Sequence, residues 1–259
     1  GQYYNQNARA YVSWNWRANA GTTAANSVGA TSSVTQVDPS GGFSIVTYTG
    51  FSGSSGSSTV GHGMGVAPNM IIHKSRSRTS GWWTQVPNLL TDAGYFLDLS
   101  GTNAQTNLNS YGTMNVPTTS VFTINGVDGV GGESANYVAY CFANIEGYCK
   151  VGSYVGNGND DGTFVYTGFR PAMMILKELV VDDWLIYDDK RVGYNLDSAG
   201  NAVLYPNATH AENNQASRAI DILSNGFKLR TSNATGNAGS GNYIYLAMAH
   251  NPFKYATAR

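Results

Sequence analysis

The sequence predicts an all-β protein: two tandem antiparallel β-sandwiches behind an amino-terminal strand segment. Three observations lead there. The 259 residues include 31 glycines and 17 tyrosines but only 12% charged side chains, a composition that favours short strands and turns over amphipathic helices. The stretch Tyr137–Ala143 (YVAYCFA) alternates strictly, with Tyr137, Ala139, Cys141 and Ala143 on one side and Val138, Tyr140 and Phe142 on the other. Such a run of aromatic and β-branched residues marks a strand buried on both faces. Finally, the same blocks occur twice in the same order, the signature of an internal repeat.

Taken in order, Tyr11–Ala18 (YVSWNWRA) reads as the closing strand of an earlier copy, and the Ala/Thr/Ser/Asn-rich residues 19–33 as a linker. The first copy begins at Tyr48-Thr-Gly50, crosses a Gly/Ser loop, and reaches Pro68 and an apolar strand ending in Lys74. Proline fits a strand start, where the missing N–H costs least. A strand at Trp82–Trp83, a short one at Tyr95–Leu99 and two closing strands, Phe122–Ile124 and Tyr137–Ala143, complete it. The second copy repeats this with Tyr154-Val-Gly156, Pro171–Lys177, Trp184, Ala202–Tyr205, Phe227–Leu229 and Tyr243–Ala249. The expected organisation is a strand-and-linker segment over 1–40, one sandwich over 41–148 and another over 149–259.

These blocks carry a resemblance. Gly61–Ile72 (GHGMGVAPNMII), Tyr137–Ala143 with Glu146-Gly-Tyr148, Gly152–Gly158, Phe164–Pro171, Leu223–Arg230 and the ending 251–259 resemble repeat domains of tail-fibre-like and other virion proteins of tailed bacteriophages. The resemblance covers nearly the whole chain. It implies concanavalin-like, jelly-roll-type sandwiches with an adhesive or structural role on the particle exterior. It also implies assembly with copies of itself and other virion proteins, and contact with a host surface glycan. Cys149 departs from the serine expected there, and the Val180–Trp184 loop is shorter than usual.

Several chemistries are disfavoured. A net charge of -1 with scattered lysines and arginines gives no electrostatic case for nucleic acid, and no apolar run is long enough to insert into a membrane. The acid pairs Asp160–Asp161, Asp182–Asp183 and Asp188–Asp189 are adjacent, so on a strand their side chains diverge, unlike the facing carboxylates of a glycosidase. No serine lies in a nucleophile elbow, so a non-enzymatic protein without cofactor is expected. Asn157, Asn159, Asp160 and Asp161 form a weak calcium candidate, although Asx turns explain that composition better. Cys141 and Cys149 flank a turn at a spacing that a disulfide could bridge, although a pair of small apolar thiols fits them better.

Binding draws more support. A sugar site pairs an aromatic face with polar donors, which singles out Trp82, Trp83, Trp184, Tyr187 and Tyr111. Of the adjacent Trp82 and Trp83, one must face outward from a strand. Tyr11, Trp14 and Trp16 are candidates for an assembly interface, in which an orphan strand completes a neighbour's sheet.

Overall fold

A computed structural model describes residues 7–8, 10–18, 22–51, 53–132, 134–191, 195, 202–212 and 216–251. The first half holds β1 (Ala24–Asn26), β2 (Ser33–Asp38), β3 (Phe43–Thr49), β4 (Ser57–Gly61), β5 (Met70–Ser75), β6 (Trp83–Gln85), β7 (Tyr95–Asp98), β8 (Thr106–Asn107), β9 (Val121–Asn125) and β10 (Asn136–Phe142). The second holds β11 (Cys149–Val155), β12 (Phe164–Tyr166), β13 (Pro171–Glu178), β14 (Trp184–Asp188), β15 (Ile220–Leu223), β16 (Gly226–Leu229) and β17 (Asn242–Ala249). The one α-helix among the described residues, α1, is a single turn at Ala234–Asn237.

The strands form four open sheets, antiparallel throughout. One has eight strands in the order β1-β2-β3-β10-β5-β6-β7-β8, and β4-β9 forms a small companion. The second half has β11-β17-β13-β14 with β12-β16-β15. Three cores lie between them. Val60, Phe122 and Ile124 of the β4-β9 pair meet Val46, Ile71, Tyr137 and Ala139 of the large sheet, and Val165, Ile222 and Phe227 meet Met174, Leu185 and Tyr243 in the second half. The third core joins the halves: Phe43, Met70, Ile72 and Phe142 pack with Met173, Ile175, Trp184, Ile244 and Leu246. The two large sheets therefore stack with their outer faces together, and strict alternation sends each successive side chain of β10 and β17 to a different core.

The internal repeat is visible atom by atom. Tyr48 stacks on Tyr137 with centroids 5.4 Å apart, and Phe122 meets Tyr48 edge-on at 5.9 Å. Tyr154, Tyr243 and Phe227 repeat the trio at 4.8 and 6.0 Å. Tyr48 donates to Val130 O, in a turn, and Tyr154 to Gly236 O, in α1, so both buried hydroxyls are satisfied by carbonyls outside the sheets.

Two expectations about the amino-terminal segment need correction. Residues 10–18 form no ladder with the described residues; instead Trp14, Trp16 and Ala18 turn inward onto the shared core while Tyr11, Ser13, Asn15 and Arg17 stay exposed. The hydrophobic side chains are taken up by packing, without strand pairing. The supposed linker, in turn, contains β1 and the start of β2, which extend the eight-stranded sheet through β2-β3 pairing. The motif at 251–259 lies, beyond Asn251, outside the described residues.

Candidate functional site

Register makes Trp82 and Trp184 counterparts. Trp83 lies opposite His73 and Leu185 opposite Leu176, so the residue before each, Trp82 or Trp184, faces the seam beside Lys74 or Lys177. Their surroundings differ. Trp184 is 2% exposed, its indole N–H donates to Asp98 O at 2.9 Å, and its backbone N–H donates to Asn207 Oδ1. Loops of the two halves close over it through Gln105 N–H to Leu179 O and Asp182 N–H to Thr102 O. Trp82 is 36% exposed.

Trp82 borders a cavity of about 370 Å³ at one end of the seam, walled by Trp16, Ile45, Ile72, Tyr140 and, from the second half, Ile175 and Leu246. Its ring lies nearly parallel to that of Tyr140, 16° apart with centroids separated by 6.4 Å. The Lys74 ammonium sits 5.8 Å from the Trp82 centroid and donates to Ser80 O, a cation–π contact that leaves the lysine stem on the indole.

The remaining aromatic candidates separate. Trp83 is half-buried against the first core, and a Cβ on Gly129 would come within 1.8 Å of its ring. Tyr187 is 2% exposed and its hydroxyl donates to Arg218 O. Trp184 and Tyr187 thus have no face to offer a ligand. Tyr111 is exposed, on a 3-10 turn whose carbonyl accepts from Gly126 N–H. Trp16 and Tyr140, which the sequence reading did not place in a ligand site, share the cavity with Trp82. For Tyr140 the signal was present: strand parity puts it opposite Tyr137.

The polar loop 157–162 is internally satisfied. Asn159 N–H donates to Asn157 Oδ1 and Asp161 N–H to Asn159 Oδ1, two consecutive Asx turns. Fully buried Asn237 ties the loop down, donating to Asn157 Oδ1 and Asn159 O. The Asp161 carboxylate meets Lys228 at 3.1 Å and Arg230 at 3.2 Å, and the hydrogen bond from Lys228 lowers its pKa. Asp160 accepts from Ser232 N–H. Asn157 Oδ1, Asn159 Oδ1, Asp160 Oδ1 and Asp161 Oδ1 thus all have partners within the protein. Among the described residues no three His, Cys, Asp or Glu side chains are placed to hold a metal.

Other ionisable groups serve packing. Lys177 is fully buried, donating to Glu178 O and Val180 O at 2.7 Å for the latter, and burial lowers its pKa to about 8. Arg191 joins Asp188 at 2.7 Å, Glu212 at 2.7 Å and Ala202 O at 2.8 Å, pinning the end of β14. Cys141 and Cys149 are free and buried, and burial pushes the Cys149 thiol up to about 12, so neither is nucleophilic at neutral pH.

Fold and site together define an all-β protein with β-sandwich character, two repeats stacked through a shared core, and an aromatic-walled cavity at their seam. The chain belongs to the DUF7483 family, described as a domain of unknown function, which matches residues 1–252. No curated protein and no solved structure matches it.

Proposed function

We propose that the chain is a non-enzymatic adhesion module of a tailed-phage virion appendage, two tandem jelly-roll-type sandwiches meeting a host surface glycan at Trp82. The observation that carries this reading is the unequal burial of the paired tryptophans: one locks the repeats together, while its counterpart stands at a cavity mouth. A flat indole face with apolar C–H contacts suits the underside of a pyranose. Tyr140 and Ser100 beside it supply adaptable hydrogen bonds at low entropic cost, and several copies on one particle would raise avidity from weak single contacts. The test is a glycan array probed with multimerised protein. Binding to a defined glycan that weakens about tenfold or more in Trp82→Ala, at unchanged thermal stability, is expected; a multimer that captures no glycan ends the receptor-binding reading.

A second reading, a self-assembling structural subunit, rests on residues 10–18. From Val12 to Ala18 the backbone forms no ladder among the described residues while Ser13, Asn15 and Arg17 face outward, the arrangement of a strand ready for a neighbour's sheet. Asn15→Pro removes one backbone N–H yet spares Trp14 and Trp16. Light scattering that shows a defined oligomer in the native chain and its loss in this variant supports assembly through the segment, whereas a monomer in both discards it.

A further inference from the structure

The seam face of the large sheet changes character along its three central strands. Register aligns Phe43, Phe142 and Met70 in one row, then Ile45, Tyr140 and Ile72, then Thr47, Val138 and Lys74. A fourth row holds Thr49 and Asn136, with Arg76 beside them through its N–H to Asn136 O. The rows span about 20 Å at two residues per step. All of the first two except Met70 line the cavity beside Trp82. Thr47 of the third row and Thr49, Asn136 and Arg76 of the fourth border a second groove, also of about 370 Å³, which Val34 walls from the neighbouring strand.

One sheet face thus runs from mainly apolar, the Tyr140 hydroxyl being the polar group of its first two rows, to polar and cationic. In the apolar part, a ligand rich in hydroxyls would leave them without partners, a desolvation loss with no return. An apolar chain loses nothing there. At the other end Arg76 is exposed, and among the described residues no acid pairs with its guanidinium. Its planar fork suits a carboxylate or phosphate, and Lys74 adds positive charge between the two ends.

We propose that this trough binds an acyl chain bearing an anionic head, the chain lying between Trp82, Tyr140 and Ile72 and the head at Arg76. Free fatty carboxylates and acylated phosphosugars of a cell envelope share that chemistry. The inference is independent of the glycan reading, which concerns the outer face of Trp82 and is tested with saccharides that carry no acyl chain.

Isothermal titration of the full chain with decanoate, with decanol and with phosphatidylcholine vesicles doped with a phosphorylated lipid A separates the outcomes. Saturable binding of decanoate, about tenfold tighter than decanol, is expected, with Arg76→Glu removing that difference. Saturable binding to the doped vesicles alone, also lost in Arg76→Glu, supports the same site and assigns the head to phosphate. Ile72→Trp or Ile45→Phe, whichever retains the native melting transition, fills the cavity and should abolish both. No binding of decanoate or doped vesicles overturns the proposal, as does binding that survives cavity filling or is indifferent to Arg76→Glu.

Discussion

His73 occupies the first core, fully buried beside Phe96 and Phe122. Tyr48 gives its only hydroxyl proton to Val130 O, so the contact between Tyr48 Oη and His73 Nδ1, at 3.2 Å, requires a proton on that nitrogen. Nε2 is left as a bare acceptor without a partner. Burial lowers the His73 pKa to about 3, from about 6.5 when unfolded. The unfolded chain therefore binds more protons, and the native state loses stability as pH falls from about 6.5 towards 3. Leu176 fills the corresponding place in the second repeat. His73→Leu should remove this acid sensitivity, leaving the variant on the order of 3 kcal/mol less penalised than the native chain at about pH 4. Urea titrations at about pH 7 and pH 4 measure it; an equal loss in both proteins refutes the assignment to His73.

Each repeat's first long strand must leave the sheet at a glycine. A Cβ on Gly50 would lie 2.1 Å from Gly132 O, and one on Gly156 would lie 2.2 Å from Ala238 O, backbone atoms that cannot swing aside. Gly156→Ala is expected to cost roughly 1–3 kcal/mol through overpacking. Gly236→Ala, in α1 with its new Cβ no closer than 3.7 Å to Leu229, should be neutral or stabilising by up to about 1 kcal/mol. Urea midpoints of the two variants give the comparison, and equal effects would contradict the steric account. At this scale much was legible in sequence: Pro171 opens β13, Tyr154 and Gly156 recur in step with Tyr48 and Gly50, and the parity of β10 foretold burial on both sides. Tyr11–Ala18 has the alternation of a strand without its pairing, because alternation reports which side chains are buried, not whether a backbone partner exists. Likewise β1 and β2 were missed within a Ser/Thr/Ala-rich stretch, since their place in the sheet comes from long-range pairing with β3 rather than from local propensity.

For the whole molecule the decisive feature is the shared core. Sequence indicated two units but not that their large sheets would meet, because a face buried against another repeat carries the same alternation as one buried in its own sandwich. The cavity was hidden for that reason: Trp16, Trp82, Tyr140, Ile175 and Leu246 are scattered along the chain, and only stacking brings them together. Of the five candidate aromatics, the adjacent Trp82 and Trp83 were legible as a pair with one outward member, but only the structure shows that it is Trp82, and nothing local distinguished Trp184, which the seam encloses. Leu246 is 1% exposed in that core. Leu246→Ala should cost roughly 2–5 kcal/mol and lower the unfolding temperature of both repeats together, because each large sheet leans on the other. Scanning calorimetry should show one transition in both proteins, and a variant in which only one of two resolved transitions moves would show that the repeats unfold independently.

Once Trp14, Trp16 and Trp83 are replaced by phenylalanine, the unequal burial of Trp82 and Trp184 also gives the protein an internal optical reference. An indole enclosed by apolar side chains emits at shorter wavelength and is shielded from dissolved acrylamide, whereas one at a cavity mouth emits further to the red and is readily quenched. Any event at the seam entrance should therefore alter the red, quenchable part of the emission while the blue part, reporting the contact between the repeats, holds steady. The ratio of the two distinguishes occupancy of the entrance from separation of the sheets in a single spectrum.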